Sequence, residues 1–180
     1  MKAAVYYETG APEVLKYEDV PDPQIFPQGV LVRVEAVSIE GGDTLNRGGG
    51  AMASRPHIVG YQAAGTILEV GSEVGDLKPG QRVVTVNAFG SHAELRVVAA
   101  RTAWPVPDGM DIKIAAAIPV PFGTAHECLF EFGRLKAGET VLVQAGASAV
   151  GIAAIQLAKQ AGATVIATAS SEARLAKLKP

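Results

Sequence analysis

The chain has 180 residues, 48% of them hydrophobic and 19% charged, and its formal net charge is −2. This length provides for one domain or slightly more, and the composition is typical of a soluble globular protein. The small charge, with no basic run, argues against a nucleic-acid partner, and no apolar run is long enough to cross a membrane.

Cysteine usage and the first residues indicate the compartment. The single cysteine, Cys128, excludes an intramolecular disulfide and a multi-cysteine zinc site. Met1-Lys-Ala-Ala-Val5 looks like a strand rather than a secretory signal. We therefore predict a cytoplasmic protein, with Cys128 a core thiol on an apolar helix face.

Residues 1–118 show short strand-like runs without helical periodicity. Turn signals such as Thr9-Gly10, Gly41-Gly42 and Lys78-Pro-Gly80 separate the runs. The pattern predicts an antiparallel, β-rich domain that forms a partly closed barrel. His57 and His92 lie beside turns and are predicted at the surface. The predicted strands are 3–7, 15–20, 29–37, 64–70, 82–86 and 93–98.

Helical patterns begin at residues 112–117 and return at 124–132. The change from strand-like to helical patterns near Pro119-Val-Pro121 predicts the domain boundary. We therefore divide the chain into domains 1–118 and 119–180.

The second domain opens with a strand–turn–helix–strand pattern. The apolar run 141–143 predicts a strand buried on both faces, and 164–168 predicts a second buried strand. Between them lies Gly146-x-Ser148-x-x-Gly151, a dinucleotide fingerprint with serine at the middle glycine position. We predict that Gly146 supplies the φ angle of a sharp turn and that Gly151 allows close helix packing.

This turn is predicted to hold a pyrophosphate. The Ser148 hydroxyl can donate to a phosphate oxygen, and the amides of Ala149 and Val150 lie at the positive end of the helix. The alternative is a small-residue turn in a protein that binds no nucleotide. The predicted binding residues of the turn are Gly146, Ala147, Ser148, Ala149, Val150 and Gly151.

The end of the second strand indicates which nucleotide is bound. NAD sites place Asp or Glu about 20 residues after the turn, to hold the ribose hydroxyls. Here Thr168-Ala-Ser-Ser171 precedes the first acid, Glu172. Ser170, Ser171 and Arg174 are predicted to contact a 2′-phosphate, which favours NADPH. Alternatively, Arg174 is a solvated helix residue.

Several motifs occur along the chain in the order found in a known protein family. They are Pro56-His-Ile-Val-Gly60, Ala63-Ala-Gly65 with Val70-Gly71, Lys78-Pro-Gly-Gln-Arg-Val83, Gly90-Ser-His-Ala-Glu94 and Gly123-Thr-Ala125. In this order the chain resembles the N-terminal part of a zinc-free medium-chain dehydrogenase/reductase of the quinone oxidoreductase (zeta-crystallin-like) branch. The resemblance implies a GroES-like β-barrel domain followed by a partial Rossmann domain, a doubly wound parallel sheet.

The same resemblance argues against a metal. Zinc-dependent relatives hold zinc with Cys-Gly-x-Asp and Gly-His-Glu segments, which align with Glu40-Gly-Gly-Asp43 and Gly60-Tyr-Gln62. Cysteine is thus replaced by Glu40, histidine by Tyr61 and glutamate by Gln62. Since such a site requires thiolate and imidazole, no metal is expected.

The resemblance also implies roles in hydride transfer from NADPH to a quinone or an α,β-unsaturated carbonyl. It places Thr124 near the nicotinamide and Tyr61 where it can donate to the substrate oxygen. Glu40 would lie beside Tyr61, protonated or paired with Arg47, because a free carboxylate would repel a developing enolate. Alternatively, Tyr61 is a packing aromatic, Glu40 points to solvent and Asp43 caps a helix.

Only part of a doubly wound sheet is encoded here. Two parallel strands leave a hydrophobic sheet edge open. We therefore expect a truncated chain, a natural fragment, or a homodimer or other assembly that covers the edge. A second functional hypothesis follows, in which the chain is a non-catalytic nucleotide-binding or interaction module that pairs through this edge.

Overall fold

A computed structural model describes residues 1–178. Lys179 and Pro180, the last two residues of the predicted second domain, lie outside the described part. The chain forms two compact units, one from Met1 to Pro119 and one that begins at Val120. Within residues 1–178, no helix has both the length and the apolar character needed to cross a membrane.

The first unit contains two antiparallel sheets, which confirms the predicted β-rich domain. A bridge between Ala3 and Ala93 joins them. The smaller sheet has the order β2-β1-β4, with β1 at Lys2–Tyr6, β2 at Lys16–Asp19 and β4 at His57–Ile58. The larger has the order β7-β3-β5-β6-β8, with β3 at Gly29–Ser38, β5 at Gln62–Val70, β6 at Arg82–Val86, β7 at Leu95–Ala99 and β8 at Ala103–Pro105.

Alternation along the strands builds the core of this unit. Successive side chains point to opposite faces of a strand, so β3 buries Val30 and Val32 against Ile67 of β5 and Val98 of β7. A short helix, α2 (Ile112–Ala116), packs on the same larger sheet.

One helix of the first unit was not predicted. The structure has α1 at Gly41–Gly49, where the sequence pattern predicts turns. The prediction is wrong because local capping offsets the weak helix propensity of glycine. The Glu40 amide donates to the Asp43 carboxylate at 2.9 Å, and the Thr44 hydroxyl donates to the Gly41 carbonyl at 2.8 Å.

The second unit contains the predicted βαβ arrangement. Strand β9 (Thr140–Val143) pairs in parallel with β10 (Thr164–Ala167). Between them runs α4 (Ala149–Gln160), whose buried alanines pack against Val143. The other helices are α3 (Pro119–His126), which continues as a π-helix over Glu127–Phe132, and α5 (Glu172–Ala176).

Two burial predictions for this unit are wrong. Strand β9 is not buried on both faces, because Leu142 is 56% exposed and its neighbour Ile166 is 54% exposed. The core lies only on the α4 side of the two-stranded sheet. Cys128 is exposed rather than a core thiol, since Ala125 and Leu129 occupy the buried face of that helix.

The predicted surface position of two histidines is also wrong. His57 is only 3% exposed, and the His92 side chain is 15% exposed. The His57 ring lies 5.2 Å from that of Tyr6 and 5.6 Å from that of Phe89. Its Nδ1 accepts a hydrogen bond from the Ala53 amide at 3.2 Å. Burial lowers the pKa of His57 below its usual value of 6.5.

Candidate functional site

The Tyr61 side chain packs against α1. A Cβ atom at Gly42 would lie 2.7 Å from the Tyr61 hydroxyl oxygen, so only glycine leaves room for the ring. The Asn46 side-chain amide donates to the Tyr61 hydroxyl at 3.1 Å. Within residues 1–178, no protein acceptor takes the proton of that hydroxyl. The phenol is therefore oriented by α1 and keeps a proton to donate.

One buried carboxylate holds the backbone of both predicted catalytic residues of this unit. Asp43 is 2% exposed. Its Oδ1 accepts from the Tyr61 amide at 3.2 Å, and its Oδ2 accepts from the Glu40 amide at 2.9 Å. His92 Nε2 lies 3.7 Å from Oδ2. Asp43 therefore caps α1, in keeping with the cap interpretation, and also connects Glu40 to Tyr61.

The Glu40 carboxylate is engaged by neutral donors. Its Oε1 accepts from the Ser38 hydroxyl at 2.9 Å and from the Gln62 side-chain amide. The expected pair with Arg47 is wrong, because the Arg47 guanidinium donates to the Gly10 carbonyl. Arg47 lies seven positions after Glu40, which is about 10 Å along α1. Glu40 is half-buried and so does not simply point to solvent.

The residues aligned with zinc ligands thus lie in one hydrogen-bond network with Ser38 and Asp43. In the part of the chain that the structure describes, no group of three or more His, Cys, Asp or Glu side chains is placed to hold a metal ion. The network offers a carboxylate, a phenol and an amide from Glu40, Tyr61 and Gln62, in place of the usual thiolate and imidazole.

Sequence reasoning missed Arg96, which is only 3% exposed. Its guanidinium donates to the Tyr61 carbonyl at 2.8 Å. Burial lowers the pKa of Arg96 to about 10, and the Asp43 carboxylate opposes this shift, so the side chain is a cation at neutral pH. Strand alternation was a usable signal, because Arg96 shares the inward face of β7 with buried Val98.

In the second unit, the fingerprint turn leads directly into α4. Ser148 is the N-cap, and its Oγ accepts from the Gly151 amide at 3.1 Å. The amides of Ala149 and Val150 are the first two of the helix and have no intrahelical acceptor. A Cβ atom at Gly151 would lie 2.7 Å from Gly146 Cα, so the helix start presses on the turn.

The predicted φ role of Gly146 is wrong. The left-handed conformation falls on the preceding residue, Ala145, with φ of 51°. Gly146 is required for space instead, because a Cβ there would lie 3.0 Å from Ala167 Cβ and 3.2 Å from Ile155 Cδ1. The turn is narrow because α4 and β10 both approach it.

The structure brings together the three residues predicted at the end of β10. Arg174 Nη1 donates to the Ser170 hydroxyl at 3.1 Å. Ser171 caps α5, and its Oγ accepts from the Arg174 amide at 3.3 Å. The Gly146 amide donates to the Thr168 carbonyl at 2.7 Å, which connects this cluster to the fingerprint turn.

Thr124 lies apart from these groups in the hydrogen-bond network. It is exposed on α3, while Ala125 beside it packs in the core with α4. No hydrogen bond within residues 1–178 joins the Thr124 side chain to the fingerprint turn. Its predicted contact with the nicotinamide therefore stays a prediction.

Comparisons with known proteins agree with this architecture. A family model described as the alcohol dehydrogenase GroES-like domain matches residues 27–108. The quinone oxidoreductase of Rattus norvegicus is 36% identical over 178 residues, which cover 96% of this chain and 54% of the relative. The quinone oxidoreductase of Pseudomonas aeruginosa is 38% identical over 172 residues, which cover 93% of this chain and 53% of the relative.

A solved structure extends the match to both units. Escherichia coli quinone oxidoreductase complexed with NADPH superposes with a TM-score of 0.91 at 30% identity, covering 97% of this chain and 54% of that chain. The chain thus spans about half the length of these relatives. The matches confirm the predicted fold, a GroES-like domain followed by part of a Rossmann domain.

Proposed function

Because the chain belongs to the medium-chain dehydrogenase/reductase family, we propose that it serves NADPH-dependent hydride transfer to a quinone or an α,β-unsaturated carbonyl without zinc. The observation that carries the proposal is the Arg174–Ser170 pair beside the fingerprint turn. A solved relative is complexed with NADPH, and this pair has the chemistry to accept the 2′-phosphate that distinguishes that cofactor.

The residues of the second unit fit a phosphorylated dinucleotide. The α4 amides of Ala149 and Val150 and the Ser148 hydroxyl are donors for the pyrophosphate. Arg174 is exposed, so its guanidinium can bind a phosphate, and Arg is suited to this by its planar set of donors. No acid precedes Glu172 after β10, so no carboxylate is placed there to favour the ribose hydroxyls of NAD.

The residues of the first unit fit a reaction that needs no Lewis acid. When bound, NADPH supplies the hydride, and a quinone or enone is electrophilic enough to accept it directly. Tyr61 donates its hydroxyl proton to the substrate oxygen as negative charge develops there. Two neutral donors occupy the Glu40 carboxylate, which lowers its repulsion of that charge.

Calorimetric titration of this chain with NADPH and with NADH, in the presence of chelator, tests the cofactor assignment. We expect NADPH to bind more tightly, and equal affinities would remove the 2′-phosphate role. Turnover with a panel of quinones and enones then tests the reaction. Turnover that requires added zinc would contradict the zinc-free mechanism.

A second candidate function is a non-catalytic nucleotide-binding or interaction module that pairs through the open edge of the two-stranded sheet. The exposed aliphatic face of the same sheet favours such an assembly. Leu142 and Ile166 are cross-strand neighbours on that face, and both are more than half exposed. A homodimer would cover them. Light scattering on the wild type and on Leu142→Ser tests this assembly, and turnover separates the two functions.

A cytoplasmic location is proposed on the single cysteine alone.

A further inference from the structure

We propose that Arg96 is a positioning residue for Tyr61, acting with Asp43 as a two-sided clamp on the Tyr61 backbone. The inference rests on the proposed function, in which Tyr61 donates to the substrate oxygen. It extends that function by assigning a role to a buried cation.

The Arg96 guanidinium donates hydrogen bonds to carbonyl groups in three segments of the first unit. Its Nη2 donates to the Tyr61 carbonyl at 2.8 Å, to the Phe89 carbonyl at 3.1 Å and to the Gly60 carbonyl at 3.5 Å. Its Nη1 donates to Thr85, at 3.2 Å to the carbonyl and 3.0 Å to the hydroxyl. The link before β5, strand β6 and the loop after β6 therefore meet at one side chain.

Tyr61 is held from both sides of its own backbone. Arg96 binds its carbonyl, and the Asp43 carboxylate binds its amide at 3.2 Å. Both charged groups are almost completely buried, at 3% and 2% exposure. Fixing both peptide groups of one residue fixes the direction of its Cα–Cβ bond. The space at Gly42 and the hydrogen bond from Asn46 then place the ring.

The composition of this clamp argues for more than ordinary packing. Burying a charge is unfavourable unless it is paired and hydrogen-bonded, and the neighbouring inward position of β7 is simply Val98. A buried cation hydrogen-bonded to the carbonyls around Tyr61 meets the hydrogen-bonding part of that condition through both Nη groups, while its Nε has no hydrogen-bond partner within residues 1–178. It supplies the fixed geometry that an electrostatic donor needs, because a preorganised donor requires no rearrangement during the reaction.

The first experiment needs no catalytic activity. Amide hydrogen exchange is measured at Tyr61 in the wild-type chain, in Arg96→Lys and in the matched control Arg82→Lys. Arg82 also donates to two backbone carbonyls, those of Met110 at 3.0 Å and Pro107 at 3.3 Å. Exchange at Ile67, a buried amide bonded to the Gln81 carbonyl, reports general loss of stability.

We expect Tyr61 exchange to rise about tenfold or more relative to Ile67 in Arg96→Lys. The substitution removes the guanidinium bond to the Tyr61 carbonyl, so this segment opens more readily and frees the amide from Asp43. In Arg82→Lys this ratio should not change. Equal ratios in the two variants would overturn the clamp, whether or not the chain turns over any substrate. Arg96→Gln, which removes the cation but keeps an amide donor, provides a second variant.

The second experiment tests whether Arg96 affects the reaction through Tyr61. In a double-mutant cycle, Arg96→Lys should lower kcat about tenfold in the wild-type background and hardly change it in Tyr61→Phe. The KM for NADPH should stay constant throughout. Equal losses in both backgrounds would show that Arg96 does not act through Tyr61. No turnover in the wild type would count against the proposed function, while the exchange result would still decide the clamp.

Discussion

The side-chain amide of Asn46 donates to the Tyr61 hydroxyl at 3.1 Å, and Gly42 of the same helix leaves space for the Tyr61 ring. Gly42 and Asn46 are four residues apart and therefore share one face of α1. One makes space for the ring and the other sets the direction of the hydroxyl. A phenol that already accepts from Asn46 is a stronger donor to the next group, because hydrogen bonds in a chain polarise one another.

Replacing Tyr61 by phenylalanine tests this donor. We expect Tyr61→Phe to lower kcat by roughly 100-fold, the usual effect of removing one donor to a developing oxyanion, with little change in the Kd of NADPH. Steady-state kinetics and calorimetry measure the two quantities. Tyr7→Phe is the control, since the exposed Tyr7 hydroxyl donates to the Glu18 carboxylate. Unchanged kcat in Tyr61→Phe would leave Tyr61 a packing residue.

Removing the Arg174 guanidinium tests cofactor selectivity. Arg174→Ala should weaken NADPH binding roughly tenfold to 100-fold, the range for a lost charged hydrogen bond, and leave NADH binding nearly unchanged. Titration of both cofactors gives the ratio. Lys159→Ala removes an exposed cation of the same unit, near the end of α4, and should affect neither cofactor. Equal losses for NADPH and NADH in Arg174→Ala would refute the 2′-phosphate contact.

A side chain at Gly151 should separate α4 from the fingerprint turn. Because a Cβ atom there would lie 2.7 Å from Gly146 Cα, we expect Gly151→Val to abolish nucleotide binding and to destabilise the unit by about 1–3 kcal/mol. Gly151→Ala should show a weaker form of both effects, which keeps the test usable if the valine variant does not fold.

The matched control for that substitution is Gly75→Ala, since a Cβ at Gly75 would meet nothing within 4 Å. Its nucleotide affinity should equal that of the wild type. Wild-type affinity in Gly151→Val would show that the nucleotide is not bound at this turn.

Acid should destabilise the first unit through His57. Burial lowers the pKa of His57 in the folded chain below the 6.5 of the unfolded chain, so the unfolded state binds the proton more readily as pH falls through that value. The free energy of unfolding should therefore decline as pH falls below 6.5 towards the lower pKa of the folded state. Urea unfolding at several pH values measures this decline.

The His57→Phe variant should show a smaller decline over the same range, because the buried titratable ring is gone. The control is His126→Gln, since His126 is exposed on α3 and should leave the pH dependence as it is. An identical decline in wild type and His57→Phe would assign the acid sensitivity to another group.

Local sequence pattern determined six strands of the first unit and the βαβ unit, but it missed the short strands β4 and β8. The alternation in β3 and the fingerprint from Gly146 to Gly151 are local patterns. Strand or helix periodicity depends mainly on the spacing of apolar residues that are close in sequence. The replacement of zinc ligands at Glu40 and Tyr61 is what the resemblance to zinc-dependent relatives implies, and it too is visible in the sequence.

Tertiary structure decided the burial and the hydrogen-bond partners that depend on residues far away in the sequence. Whether Arg96 is buried, which partners Glu40 takes, and whether Leu142 or Cys128 is covered are set by segments far away in the chain. Helix α1 formed across glycines because Asp43 caps it, and Asp43 also reaches Tyr61, 18 residues away. A buried polar group must find its partners wherever the fold brings them, and for Arg96 those partners are carbonyls up to 36 residues away in sequence.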